Sequence, residues 1–194
     1  MNERLSRQIA FLVEADKLKS IIRRTSLVDL SRHENSAEHS WHLVLVIMVM
    51  REYGPPDVDW MRVMEMVTVH DLVEIDAGDV SAYNVDALKA VREQAAADRI
   101  FALLPVDQHE RFRQLWDEFE AHATPEARFA NAVDRLQPLL QNAHGAGGSW
   151  QGQALVRAQI LDRMAPIESS LPDVWPHVLD VVESFCMAGV LRRD

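Results

Sequence analysis

Val69–Asp79 reads VHDLVEIDAGD. It sets a His, three Asp and a Glu directly after the apolar run Met61–Val69, MRVMEMVTV. Ionisable side chains are costly to bury unless they are paired or hold a metal. The apolar run has the length and spacing of a buried helix, so the chain ends a core element on a cluster of metal-seeking groups. The rest of the sequence either supplies partners for that cluster or leaves it as a salt-bridged core.

Working outward, nearly every segment carries helical periodicity. Glu3–Lys19 spaces Leu5, Ile9, Leu12, Val13 and Leu18 close to a 3.6 period. Asn35–Tyr53 opens with Asn35 and has Glu38 three residues on, a capping box, and it stops at Gly54-Pro55-Pro56. Asp59 is placed to cap a helix over Asp59–Glu74. Further helices are predicted over Asp86–Leu104, Asp107–His122, Pro125–Asn142, Gln153–Met164 and Asp173–Ala188, the last stopped by Gly189. No stretch alternates with period two, so no sheet is expected. The fold class is all-α: a single-domain helical bundle over residues 1–194. Ile75–Asn84 is a short acidic loop. His144–Gln151 (HGAGGSWQ) reads equally as a mobile flap or a plain surface turn.

Composition narrows the function. With 48% hydrophobic and 26% charged residues, the 194-residue chain is built like an ordinary globular protein. Its formal charge of −10 argues against a general nucleic-acid grip. The longest oily run, Leu43–Met50, is too short to span a bilayer, and the N-terminus lacks a signal-peptide layout. A cytoplasmic protein is expected. Cys186 is the only cysteine, which excludes an internal disulfide and a thiolate zinc cage, and it reads as a core residue.

Imidazole and carboxylate both suit divalent first-row metals. Neighbours on a helix point about 100° apart, so His70 and Asp71 share an ion only if other helices complete the set. His39 lies in the first turns of an apolar helix, SAEHSWHLVLVIMVM, and Asp134 lies mid-helix in FANAVDRLQPLL. Pro138 has no N–H for the Asp134 carbonyl, so a kink is expected beside Asp134. Two His and two Asp on three helices could hold one ion. Each has a plainer reading. A lone His39 is more often a satisfied core residue, Asp134 could pair with Arg135 of a second copy or with Arg128, and His42 could form an H-x-x-H pair with His39. His33, His109, His122, His144 and His177 read as solvated or loop residues.

The order H…HD…D, with AEHS (Ala37–Ser40), HDLVEIDAGD (His70–Asp79) and AVDRLQPLLQN (Ala132–Asn142), resembles the HD-domain metal-dependent phosphohydrolases. The likeness is to the subgroup containing the 5′-deoxynucleotidases. It spans roughly residues 18–142, with the helices of 153–188 packing on that core. The resemblance implies that His39, His70, Asp71 and Asp134 hold one divalent metal ion. It makes Glu74 the acid that moves a proton, Asp79 a second acid near the ribose, and Arg24 the phosphate anchor. Mn, Co, Fe, Ni or Zn suits that ligand set better than Mg. The implied substrate is a small phosphomonoester, most naturally a nucleoside 5′-monophosphate, and the implied assembly is a homodimer. Hydrolysis of another phosphate compound, a non-catalytic metal or nucleotide sensor, and a helical interaction protein are the rivals. There is one departure. Bacterial deoxynucleotidases carry a Trp directly after the arginine, pressing on the sugar, where this chain has Thr25.

Overall fold

The computed structural model describes residues 2–79 and 88–193. The last part of the acidic loop, from Val80 to Asn84, and the start of the helix expected from Asp86 lie outside them.

The described chain is an all-α bundle with one small hairpin. Its elements in order are α1 (Glu3–Ala15), β1 (Ile22–Ser26), β2 (His33–Asn35), α2 (Ser36–Met50), α3 (Trp60–Val69), α4 (Glu74–Ala77), α5 (Lys89–Phe101), α6 (Val106–Ala121), α7 (Pro125–His144), α8 (Arg157–Ser170) and α9 (Trp175–Met187). Short 3₁₀ turns join several of them, the most consequential being His70–Val73 between α3 and α4.

The helix starts are set by local chemistry. Asn35 accepts from the Glu38 N–H at 2.9 Å, while the Glu38 carboxylate accepts from the Asn35 N–H at 3.2 Å. Asp59 accepts from the N–H groups of Met61 and Arg62. The Thr124 hydroxyl accepts from the Ala127 N–H at 3.1 Å, with Pro125 at the first helical position. Gly189 follows α9 with φ +72°, the left-handed stop that its position predicts. Gln159 reaches back to accept from the Val156 N–H, so α8 begins four residues later than Gln153 and runs on through Pro166 to Ser170.

α7 is the axis of the molecule. It packs against α2, α3, α6, β1 and α8, and α9 covers α8. Its inner positions alternate small and large residues: Ala127, Phe129, Ala130, Ala132, Val133, Leu136 and Leu139 are all buried. The alanines let α3 and α2 approach, and Phe129 fills the remaining volume edge-on to Trp60 at 5.0 Å. Truncating such a buried aromatic costs about 3–5 kcal/mol. Cys186 is buried, as its apolar setting suggests.

The hairpin corrects the expectation of no sheet. β1 pairs antiparallel with β2, Ile22 opposite Asn35 and Ser26 opposite His33, with an irregular register between them. Two physical reasons hid it. The strands are only five and three residues long, and the side chains they turn inward are Arg23, Thr25 and Glu34 rather than apolar ones. A period-two signal built on charge is invisible to hydrophobic patterning. The Gly-rich segment is also neither flap nor plain turn. Asn142 Oδ1 accepts from the Ser149 N–H and hydroxyl, and Trp150 is buried edge-on to Phe185 at 5.4 Å. A Cβ on Gly148 would sit 2.8 Å from that same Asn142 oxygen, so the turn closes only with glycine there. Among the described residues, no helix is long and apolar enough to cross a membrane.

Candidate functional site

Three helical segments meet beneath the hairpin. α2 brings His39 from its first turn, the 3₁₀ turn after α3 brings His70 and Asp71, and α7 brings Asp134 from its middle. All four are buried. His39, His70 and Asp71 each offer a ligand atom within 4.8 Å of the others. Asp134 Oδ1 joins them, 2.9 Å from His39 Nε2 and 3.8 Å from His70 Nε2. His70 Nε2 in turn lies 3.0 Å from Asp71 Oδ1.

The α3 helix expected to continue to Glu74 instead tightens at His70. In a 3₁₀ turn, residues three apart eclipse one another. Asp71 and Glu74 thereby stand on one side, both facing the cluster.

Each group is aimed by a second contact. Gln137 Oε1 accepts from His39 Nδ1 at 3.0 Å, and the Val67 carbonyl accepts from His70 Nδ1 at 2.9 Å. Both imidazoles therefore turn Nε2 toward the carboxylates. Each carboxylate carries an arginine on its other oxygen. Arg23 donates to Asp71 Oδ2 at 2.9 Å, and Arg135 donates to Asp134 Oδ2. Asp134 thus pairs with Arg135 of its own chain, whereas Arg128 donates to the Ala123 carbonyl. α7 runs unbroken through Pro138.

The charges follow this geometry. Burial raises the Asp71 pKa, but His70 and Arg23 outweigh it and hold Asp71 well below the carboxylate range. Asp134 is likewise depressed against its burial, by Arg135 and His39. Burial opposes a charge on His70, yet the two carboxylates lift it to about 9. Glu74 goes the other way. Desolvation first, and then the Asp71 charge, push it up to about 8, although the Ser36 hydroxyl donates to Oε2 at 2.6 Å.

The donor set fits a divalent cation. Two imidazole nitrogens and two carboxylate oxygens converge, the outer atoms are already committed, and His70 Nε2 is buried with no partner in hydrogen-bonding geometry. A cation there would replace the proton that the carboxylates hold on His70.

A cavity of about 300 Å³ opens from the cluster. Thr25 is buried in its wall, and Asp79, Arg24 and Arg135 also line it. Arg24 is the more exposed of the two adjacent arginines, and Arg23 is the one turned onto the Asp71 carboxylate. Arg23, Glu34, Ser36 and Gln137 are buried or half-buried around the ligands and were not singled out by sequence. The available signal was the polar run RHENSAEHS, uncommonly polar for a segment entering a core helix. Trp150 and His122 also reach the cavity, whereas His42 meets the site only through Gln137. His33, His144 and His177 are exposed.

Comparison with known proteins points the same way. A family model described as HD domain matches residues 15–175. A solved structure of a predicted metal-dependent phosphohydrolase from Magnetospirillum magnetotacticum MS-1 superposes with a TM-score of 0.92 at 44% identity, covering 97% of this chain and 95% of the other. A conserved hypothetical protein from Pyrococcus furiosus shares the fold, with a TM-score of 0.59 at 18% identity over 91% of this chain and 97% of that one. Among curated proteins, 5′-deoxynucleotidase HDDC2 of Homo sapiens is 29% identical over 115 residues, 58% of this chain and 55% of the relative. 5′-Deoxynucleotidase hdd1 of Schizosaccharomyces pombe is 26% identical over 118 residues, 58% of each. The chain thus spans little more than half the length of the curated relatives it matches.

Proposed function

This chain belongs to the HD domain family, and on that premise we propose that it is a metal-dependent phosphohydrolase that releases phosphate from nucleoside 5′-monophosphates. The observation that carries the proposal is one arrangement. Four buried ligand side chains converge beside one cavity, whose lining includes His70, Asp71 and Asp134, a carboxyl group raised into the neutral range, and four arginines, Arg23, Arg24, Arg135 and Arg163.

His39, His70, Asp71 and Asp134 would hold the ion, with Mn, Co, Fe, Ni or Zn better suited than Mg. When bound, such an ion supplies Lewis acidity toward water and toward a phosphoryl oxygen. A phosphomonoester dianion entering this acidic pocket needs further positive charge. Arg24, on the open side of the cavity, is assigned as its anchor, supported by Arg23 and Arg135. Burial and the Asp71 charge favour the protonated form of Glu74, which suits it to give a proton to the departing ester oxygen and take one from water. Asp79 and Thr25 line the same cavity and are assigned to the sugar.

Residues 1–194 read as one HD domain, with α8 and α9 packed on the ligand-bearing core. A homodimer is part of the proposal, supported by the exposed apolar face of α2. So is a cytoplasmic setting, where nucleoside monophosphates occur. The test is a phosphate-release screen over ribo- and deoxynucleoside 5′-monophosphates, run with Mn, Co, Ni, Zn and Mg in turn. Release from at least one nucleotide with a transition metal is the expected result. Silence across the whole panel would refute it.

A further inference from the structure

Glu34, on β2, is 1% exposed and accepts hydrogen bonds on both of its oxygens. Oε2 accepts from Gln137 Nε2 at 3.1 Å and from Gln141 Nε2 at 2.8 Å. Oε1 accepts from Arg23 Nε at 3.3 Å. Each arm then runs on to a different ligand of the proposed metal centre. Gln137 Oε1 accepts from His39 Nδ1, and Arg23 donates to Asp71 Oδ2.

The Gln137 amide has one orientation that satisfies its surroundings. Its nitrogen donates to Glu34 Oε2, and lies 3.1 Å from His42 Nδ1, which can accept in one of its tautomers. Its oxygen must therefore face His39, which fixes Nδ1 as the donor to the amide and leaves Nε2 as the atom turned toward Asp134 and available to a metal. Turning the amide over would oppose two donors at His39 unless the imidazole moved its proton to Nε2, the atom a metal needs bare. The buried anion at Glu34 holds the amide against that inversion.

We propose that Glu34 is the positioning residue of this centre, setting His39 through Gln137 and Asp71 through Arg23. This rests on the four-residue cluster holding a divalent ion. Glutamine at the same position isolates the role, because its volume is nearly unchanged. An amide has one acceptor oxygen where the carboxylate has two, so either the glutamine arm or the Arg23 arm must face a donor against a donor.

The test is titration of metal-free protein with Co²⁺ alone, by chelator competition and by the visible spectrum of the bound ion. Thermal unfolding of the metal-free form is recorded alongside. Glu34→Gln should weaken Co²⁺ binding by roughly 10–100-fold and alter the spectrum, with little change in metal-free unfolding. At saturating Co²⁺, the KM for a phosphomonoester should stay near that of the unaltered protein. Gln137→Met removes only the His39 arm and should also weaken binding. It carries the test by itself if Glu34→Gln does not fold. Equal affinity and an identical spectrum in every folded variant would overturn the positioning role alone. Failure of the unaltered protein to take up Co²⁺ would overturn both this role and the metal centre beneath it.

Discussion

Helix α2 buries polar groups in its first turns and carries apolar groups on its outer face from Trp41 to Val49. Ser36, His39 and Ser40 are buried, whereas Trp41, Met48 and Val49 are 66%, 59% and 60% exposed. A helix shaped only by a core would be the reverse. Its second half does obey the ordinary rule on the inside, with Leu43, Val46 and Ile47 buried. The contrast separates two demands on one element. The inner face is set by chemistry, because a buried imidazole is tolerated only with partners, here Asp134 and Gln137. The outer face is what an association surface looks like, an apolar stripe left exposed among the described residues.

The inner face breaks most completely. His70→Ala should abolish both metal content and turnover, by elemental analysis and phosphate release on the same sample. His109→Ala, remote from the cluster, should change neither. A His70→Ala protein that kept a full equivalent of metal would sink the ligand assignment. The next largest effect separates holding a metal from using it. Glu74→Gln should retain metal and nucleotide binding yet lose on the order of 10²–10⁴ in rate. Loss of metal with activity would make Glu74 a ligand.

A smaller effect concerns the wall of the cavity. Thr25 is buried there, and of the two tryptophans that could crowd a sugar in its place, Trp41 faces solvent and Trp150 lines the cavity. Without a bulky block, kcat/KM for a ribo/deoxy pair should differ by no more than about 10²-fold. Thr25→Trp should shift the preference toward the deoxy form. A deoxy preference above about 10³-fold in the unaltered protein would point to Trp150 as the guard. The smallest catalytic effect belongs to the outer face. Met48→Lys should halve the mass seen by sedimentation while leaving turnover per site in place. A monomeric unaltered protein would remove the interface reading.

What the sequence revealed tracks how local the determinants are. The caps at Asn35, Asp59 and Thr124 are contacts within three residues, and they mark helix starts in the structure. His39, His70, Asp71 and Asp134 converge because each sits on a strongly patterned helical segment, so an ordered motif survives translation into space. The supporting residues do not work that way. Arg23 and Glu34 are meaningful only once the hairpin pairs them, and Gln137 meets Glu34 across 103 residues. The hairpin escaped because polar and charged side chains occupy its inward positions. The tightening at His70 escaped because a four-residue 3₁₀ turn is too short to show a period of its own. Trp150 reads equally as part of a flap or of a surface turn, because the Phe185 ring that packs against it lies far along the chain.

The most direct measurement follows phosphate release and bound metal in one preparation, stripped by chelator and then reloaded. Turnover of a nucleoside 5′-monophosphate should fall to the buffer background as the metal leaves. It should return in proportion as about one equivalent of Mn²⁺ or Co²⁺ goes back, as expected when one ion supplies the Lewis acidity. Turnover that persists in the stripped protein, or a reloaded protein that releases no phosphate from any nucleotide, would contradict the account.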